Sequence, residues 1–266
     1  MTARGGWFGV LLVAGLAVAF CFLFLPVVAI LSDVSPGHLV ARLDDPASLD
    51  ALRLSLETTA ISLGVIVAVG TPVAYLLATR RFPGRAAAET ALELPLVLPP
   101  AVAGIGLLAA FGPQGLLGSA LADAGLGIAL TTSGVVVAQT FVASPFYLRQ
   151  AEAAFATLDP ALAEASRTLG ASEAATFTRV LVPATAGALL TGAALAWGRA
   201  LGEFGATLIV AGSFRGVTET APLAIYASFS SDFTAALALS AVLLAVSAAL
   251  LLGVKLLAGG PGPWRD

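Results

Sequence analysis

The sequence is poor in the residues from which most soluble sites are built. Of its 266 residues only 11% are charged, and it holds one cysteine, one histidine and one lysine. Cys21 alone can form no internal disulfide framework and no cysteine-based metal site. His38 alone excludes imidazole clusters. A nucleotide-binding P-loop ends in Gly-Lys-Ser or Gly-Lys-Thr, but Lys255 lies between Val254 and Leu256, so the chain has no Walker site with which to hydrolyse ATP. An ordinary soluble domain carries about 25% charge, and the shortfall here, with 58% hydrophobic residues, points to a membrane protein.

What is present is a series of long apolar runs. Residues 9–31 contain no charge, and as a helix rising about 1.5 Å per residue they are long enough to cross a bilayer. A cleaved signal peptide is the competing reading, since Arg4 precedes the run, but its 23 residues exceed the usual apolar core of about 7 to 15 residues, so a retained span is expected. Further spans are expected at about 58–78, 91–111, 126–147, 184–212 and 235–257, making an all-α polytopic protein of six transmembrane helices. With no convincing internal repeat and no low-complexity linker, residues 1–266 read as one membrane domain.

Basic residues accumulate in cytoplasmic loops. Placing both termini inside puts Arg4, Arg80, Arg81, Arg85, Arg149, Arg167, Arg179, Lys255 and Arg265 there, against Arg42, Arg53 and Arg215 outside, with Arg199 in or near the membrane. The outer loop 32–57 is then mildly acidic, with Asp33, Asp44, Asp45, Asp50 and Glu57, and reads as a solvated face. The third span is the most broken: Pro95, Pro99 and Pro100 precede Gly104 and Gly106. Such a segment is either a packing kink or irregular backbone beside a water-filled path.

The inner loop 148–183 is the longest, and loops of that length fold or function. Asp159 can cap a helix that Pro160 begins, and Gly170 can close it in the left-handed conformation. Leu162, Ala165 and Leu169 fall on one stripe of this helix, with Glu164, Arg167 and Thr168 off it. Two to three turns cannot stand alone, so the helix must dock on its own bundle or on another protein. Ser172 starts a second helix leading to Pro183.

This loop resembles that of permease subunits of ATP-binding-cassette importers, which runs Glu-Ala-Ala, three residues, Gly, nine residues, Ile, one residue, Leu-Pro. Here Glu164-Ala165-Ser166 is followed at those spacings by Gly170, Val180 and Val182-Pro183, with Ser166 for the second alanine, Val180 for Ile and Val182 for Leu. The literal Glu173-Ala174-Ala175 has no glycine at the right offset. The resemblance implies that 160–169 is a coupling helix seated in a cleft of an ATPase subunit.

In the fifth span Arg199 and Glu203 stand four apart, where they can partly neutralise each other on one helix face. They read either as a pathway site for a charged solute or as a structural pair holding the kink among Gly198, Gly202 and Gly205. The strings GEFGATLIVAG, GVTETAPLAIY and LPLVLPPAVAG are similar to those of molybdate and tungstate permeases, with sulfate and thiosulfate permeases close behind. That similarity implies two permease copies forming the pore, two ATPase subunits on the cytoplasmic side carrying ATP and Mg, and an external binding protein that delivers the oxyanion. The chain itself would bind no cofactor, and its surroundings would be lipid, not nucleic acid. Pro99, Pro100, Gly104, Arg199, Glu203 and Gly205 are the candidate path or gate residues. A proton-coupled carrier using Glu93 and Glu203 is the rival, though it leaves the inner loop unexplained. An intramembrane enzyme is disfavoured, because no histidine shares a span with a serine.

Overall fold

The computed structural model describes residues 6–34, 37 and 45–258. Arg4, Arg42, Asp44 and Arg265, which were assigned to sides of the membrane, lie outside the described residues, as do His38 and the side chain of Lys255.

Helix α1 (Gly6–Asp33) coincides with the first apolar run. It is apolar on every side and buries none of its length against the rest of the chain, except near its end, where Ile30 and Val34 meet Ala238 and Ala241. A helix with no buried face and no polar face is one whose solvent is hydrocarbon.

Helix α2 (Pro46–Thr79) starts well before the expected span at 58. The outer loop 32–57 is therefore overcounted: Asp45 accepts from the Ser48 backbone N–H and hydroxyl, Pro46 takes the first helical position, and residues 46–57 are helical. Arg53 and Glu57 pair one turn apart on this extension.

The third expected span is two helices, α3 (Arg85–Val97) and α4 (Pro100–Phe111), bent by 119° at Leu98–Pro99. Pro99 and Pro100 lack the N–H groups that would continue α3, and Pro100 instead begins the next helix. A short α5 (Gly118–Asp123) leads to α6 (Thr132–Ala156), capped by Thr131.

Helix α6 is the axis of the bundle. It packs on α2, on α3, and on α10 (Ala186–Leu201). Tyr147 lies 2.9 Å from where a Cβ on Gly70 would stand, so the α2–α6 approach requires glycine there. Polar side chains deep between the two helices are satisfied locally: Thr71 and Tyr147 hydroxyls meet at 2.6 Å, and Ser62 Oγ lies 3.2 Å from Gln139 Oε1. With hydrocarbon outside, such groups have no better partner than each other.

Beyond α6 come α7 (Pro160–Thr168), α8 (Glu173–Thr176), a π-helical turn (Phe177–Leu181) and α9 (Val182–Ala184). The part of this run from α8 to α9 meets α10 at a 75° bend. Then follow α11 (Gly205–Ala211), α12 (Ala221–Phe229) and α13 (Phe233–Ala258). The fold is an all-helical polytopic membrane protein. Among the described residues three helices are long and apolar enough to cross a membrane, and five if each bent pair is one span. α6 carries Gln139, Arg149, Gln150 and Glu152 and falls short on composition, which its buried, central position explains.

Candidate coupling loop and broken-helix junction

The inner-loop residues build one compact unit. Asp159 Oδ1 accepts from the Ala161 N–H at 2.9 Å and Pro160 opens α7. Gly170 closes it at φ +87°, a conformation that any L side chain would strain. Of the two docking alternatives left open for the apolar stripe, its own bundle is not the one its leucines face. Leu162 and Leu169 face away from the bundle, Leu169 with 89% of its surface free, while Ala163 and Ser166 turn inward. Ser166 meets the buried Thr176 hydroxyl at 3.0 Å, which ties α7 to α8.

The two Glu-Ala pairs part company here. Glu173 lies 3.2 Å from Arg80, at the end of α2, and 3.6 Å from Arg167 on α7. Glu164 is exposed and has no ion-pair partner among the described residues. It rims a cavity of about 380 Å³ between α7 and the end of α2, whose wall also includes Arg80, Arg167 and Asp159. Below the cavity Tyr75, Phe155 and Phe177 form an aromatic triad with ring centroids 4.9 to 6.1 Å apart, which fastens the loop to α2 and α6.

Val180 and Val182 are half-buried against the same core, and Pro183 is exposed. Pro183 has no N–H, and its ring would press on the preceding turn of a regular helix. The chain widens there into the π-helical turn, in which the Val182 N–H reaches the Phe177 carbonyl. No spacing rule announced that turn; proline four residues after Arg179 was the available signal.

The candidate path residues fall into one neighbourhood. A Cβ on Gly104 would stand 2.7 Å from Ile209 Cβ, and one on Gly205 would stand 2.6 Å from Pro100 Cβ. α4 and α11, each the second half of a broken element, therefore lie flank to flank through glycine, and these two glycines serve helix packing. Pro99 and Pro100 are exposed at the bend. Arg199 and Glu203 do not share a helix face, because α10 ends at Leu201 and Glu203 stands in the break before α11. They are joined nonetheless: Arg199 Nη2 lies 2.7 Å from Glu203 Oε2, and the other carboxylate oxygen accepts from the Ala206 N–H at 2.8 Å.

Glu93, the other carboxylate that motivated a proton-coupled carrier, is paired with Arg149 at 3.0 Å. Arg85, paired with Glu89 within α3 at 2.6 Å, makes a second link to α6 through Glu152 at 3.4 Å. These charges knit two helices together and leave the carrier reading without a free carboxylate at either position.

The helices thus form a membrane bundle with a broken third element and a compact loop packed against α2 and α6. Residues 60–259 match the family described as the inner membrane component of binding-protein-dependent transport systems, and the chain belongs to that family. It is thus a multi-pass membrane subunit and not the ATPase, and membership implies an ATPase and a binding protein as partners. It is 43% identical over 233 residues to the molybdenum transport system permease protein ModB of Mycobacterium tuberculosis, covering 88% of each chain. It is 34% identical to the sulfate transport system permease protein CysT of Salmonella typhimurium, covering 88% of this chain and 86% of that one. The fold is that of a bacterial ABC transporter involved in import of the acidic polysaccharide alginate, with a TM-score of 0.74 at 17% identity over 96% of both chains.

Proposed function

We propose that this chain forms the pore of an ATP-driven importer for an oxyanion of the molybdate and tungstate class. The observation that carries the proposal is the 43% identity to molybdenum permeases over 88% of the chain, supported by 38% identity over 97% of the chain to a probable molybdenum permease of Haloferax volcanii. In this reading the chain crosses the membrane six times with both termini inside. The spans are α1, α2, the bent α3–α4 pair, α6, the bent run from α8 through α11, and α13. Two copies make the pore. ATP and Mg reside on two partner ATPase subunits, and the chain itself holds no cofactor.

Residues 148–183 form the coupling loop, although 148–156 are the last turns of α6. Glu164, Ala165, Ser166 and Gly170 present α7 to the ATPase, while Val180, Val182 and Pro183 join it to the fifth span. The outward-facing Leu162 and Leu169 support this role, since a nine-residue helix that turns Leu162, and Leu169 at its C-terminal cap, away from its own bundle leaves apolar surface for a partner cleft. Pro99, Pro100, Gly104, Arg199, Glu203 and Gly205 shape the gate region. ATP binding opens the pore outward, and hydrolysis returns it inward.

The test is uptake of radiolabelled molybdate by cells that express the chain with its ATPase and binding protein. Uptake blocked by excess tungstate and not by sulfate is the expected result. The identity to CysT favours sulfate as the second reading, and competition by sulfate at equal concentration would select it. Calorimetric titration of the binding protein with all three anions checks where selectivity lies.

A further inference from the structure

Among the described residues Glu203 is the most deeply buried carboxylate, with 1% of its surface free. Ionised groups at such depth persist when each oxygen has a charged or N–H partner. Glu203 meets that demand with both oxygens, one on Arg199 of α10 and one on the Ala206 N–H of α11. The carboxylate therefore bridges the two helices across the break at Gly202, which is exposed and contributes no side chain to hold it. Helix α11 has seven residues and cannot set its own orientation. Its flank is seated on α4 through Gly205 against Pro100 and Ile209 against Gly104, and its first turn is held by Glu203.

We propose that Glu203 is a positioning residue: its side-chain oxygen clamps the first turn of α11 through the Ala206 N–H and so places the joined α4–α11 halves, while Arg199 serves as the carboxylate's counter-charge and is not a ligand for the transported anion. The proposal rests on the permease reading above only in calling those halves part of the gate. A guanidinium already engaged by a buried carboxylate at 2.7 Å offers little net charge to a passing anion. What it does offer is neutralisation, and that requirement vanishes if the carboxylate is removed as well.

The experiment compares Arg199→Leu, Glu203→Gln and the double variant in the assembled transporter, reading melting temperature in detergent and concentration-dependent anion uptake. Arg199→Leu strands the carboxylate and is expected to lower the melting temperature and cut uptake by about tenfold or more. Adding Glu203→Gln, whose amide oxygen can still accept from Ala206, is expected to restore the melting temperature and bring uptake back to within about threefold of wild type. The half-saturating anion concentration should stay unchanged. A double variant without uptake, inserted or not, overturns the proposal. So does wild-type behaviour of Arg199→Leu alone, or a raised half-saturating concentration in every variant lacking Arg199, which would make Arg199 an anion ligand. A wild-type transporter that imports neither molybdate nor sulfate would refute the substrate assignment instead, and the order of melting temperatures would still read the clamp.

Discussion

Ser166 and Thr176 hold each other by their hydroxyls at 3.0 Å, and this contact joins the two short helices of the inner loop. Serine replaces the second alanine of the motif at 166, and the structure supplies its partner. Thr176 is 1% exposed, so its hydroxyl has no water to turn to. Ser166→Ala is expected to destabilise the purified protein by about 1 to 2 kcal/mol, because it leaves that hydroxyl buried and unpaired. Ser166→Ala with Thr176→Val should recover most of the loss, and thermal unfolding of both variants checks it.

Gly170 closes α7 at φ +87°, with open space where a Cβ would stand. Its substitution is penalised by backbone conformation and not by crowding. Gly170→Val is expected to abolish ATP-driven uptake while the protein remains inserted, whereas Gly170→Asn, which tolerates the left-handed region better, should keep a substantial part of it. Membrane fractionation beside transport assays separates the two effects.

The two glutamates of the loop should differ in kind. Glu173 makes exposed ion pairs with Arg80 and Arg167, and exposed pairs contribute about 0 to 1 kcal/mol. Glu173→Gln should therefore change stability by less than about 1 kcal/mol and leave uptake largely intact. Glu164→Lys, at a position with no ion-pair partner among the described residues, should abolish uptake with the permease still inserted. Equal effects of the two substitutions on uptake would refute the assignment of the coupling motif to 164.

At the junction of α4 and α11 a single methyl group is already too much. Gly104→Ala and Gly205→Ala would place Cβ atoms 2.7 Å from Ile209 Cβ and 2.6 Å from Pro100 Cβ, so the helices must separate. Each is expected to cost about 1 to 3 kcal/mol, the range for overpacked contacts. Gly106→Ala, with nothing within 4 Å, should be neutral. The unfolding temperatures of the three variants give the comparison.

The sequence by itself determined the membrane class, the missing ATPase, the positions of the apolar runs and the spacing of the loop motif. These follow from composition, from run length against bilayer thickness and from the local geometry of capping, as Asp159, Pro160 and Gly170 show. Tertiary structure alone decided which way each face points and what each polar group meets. The stripe through Leu162 and Leu169 was visible in the sequence, but its outward direction depends on Tyr75, Phe155 and Phe177 packing beneath the loop from three separate segments. The four-residue spacing of Arg199 and Glu203 suggested one helix face, yet the helix breaks between them and the pair bridges the break. Periodicity describes a continuous helix, and it loses its meaning where proline or glycine interrupts one. There the geometry is set by the neighbour that fills the gap, as Ile209 fills the space beside Gly104 and Pro100 the space beside Gly205.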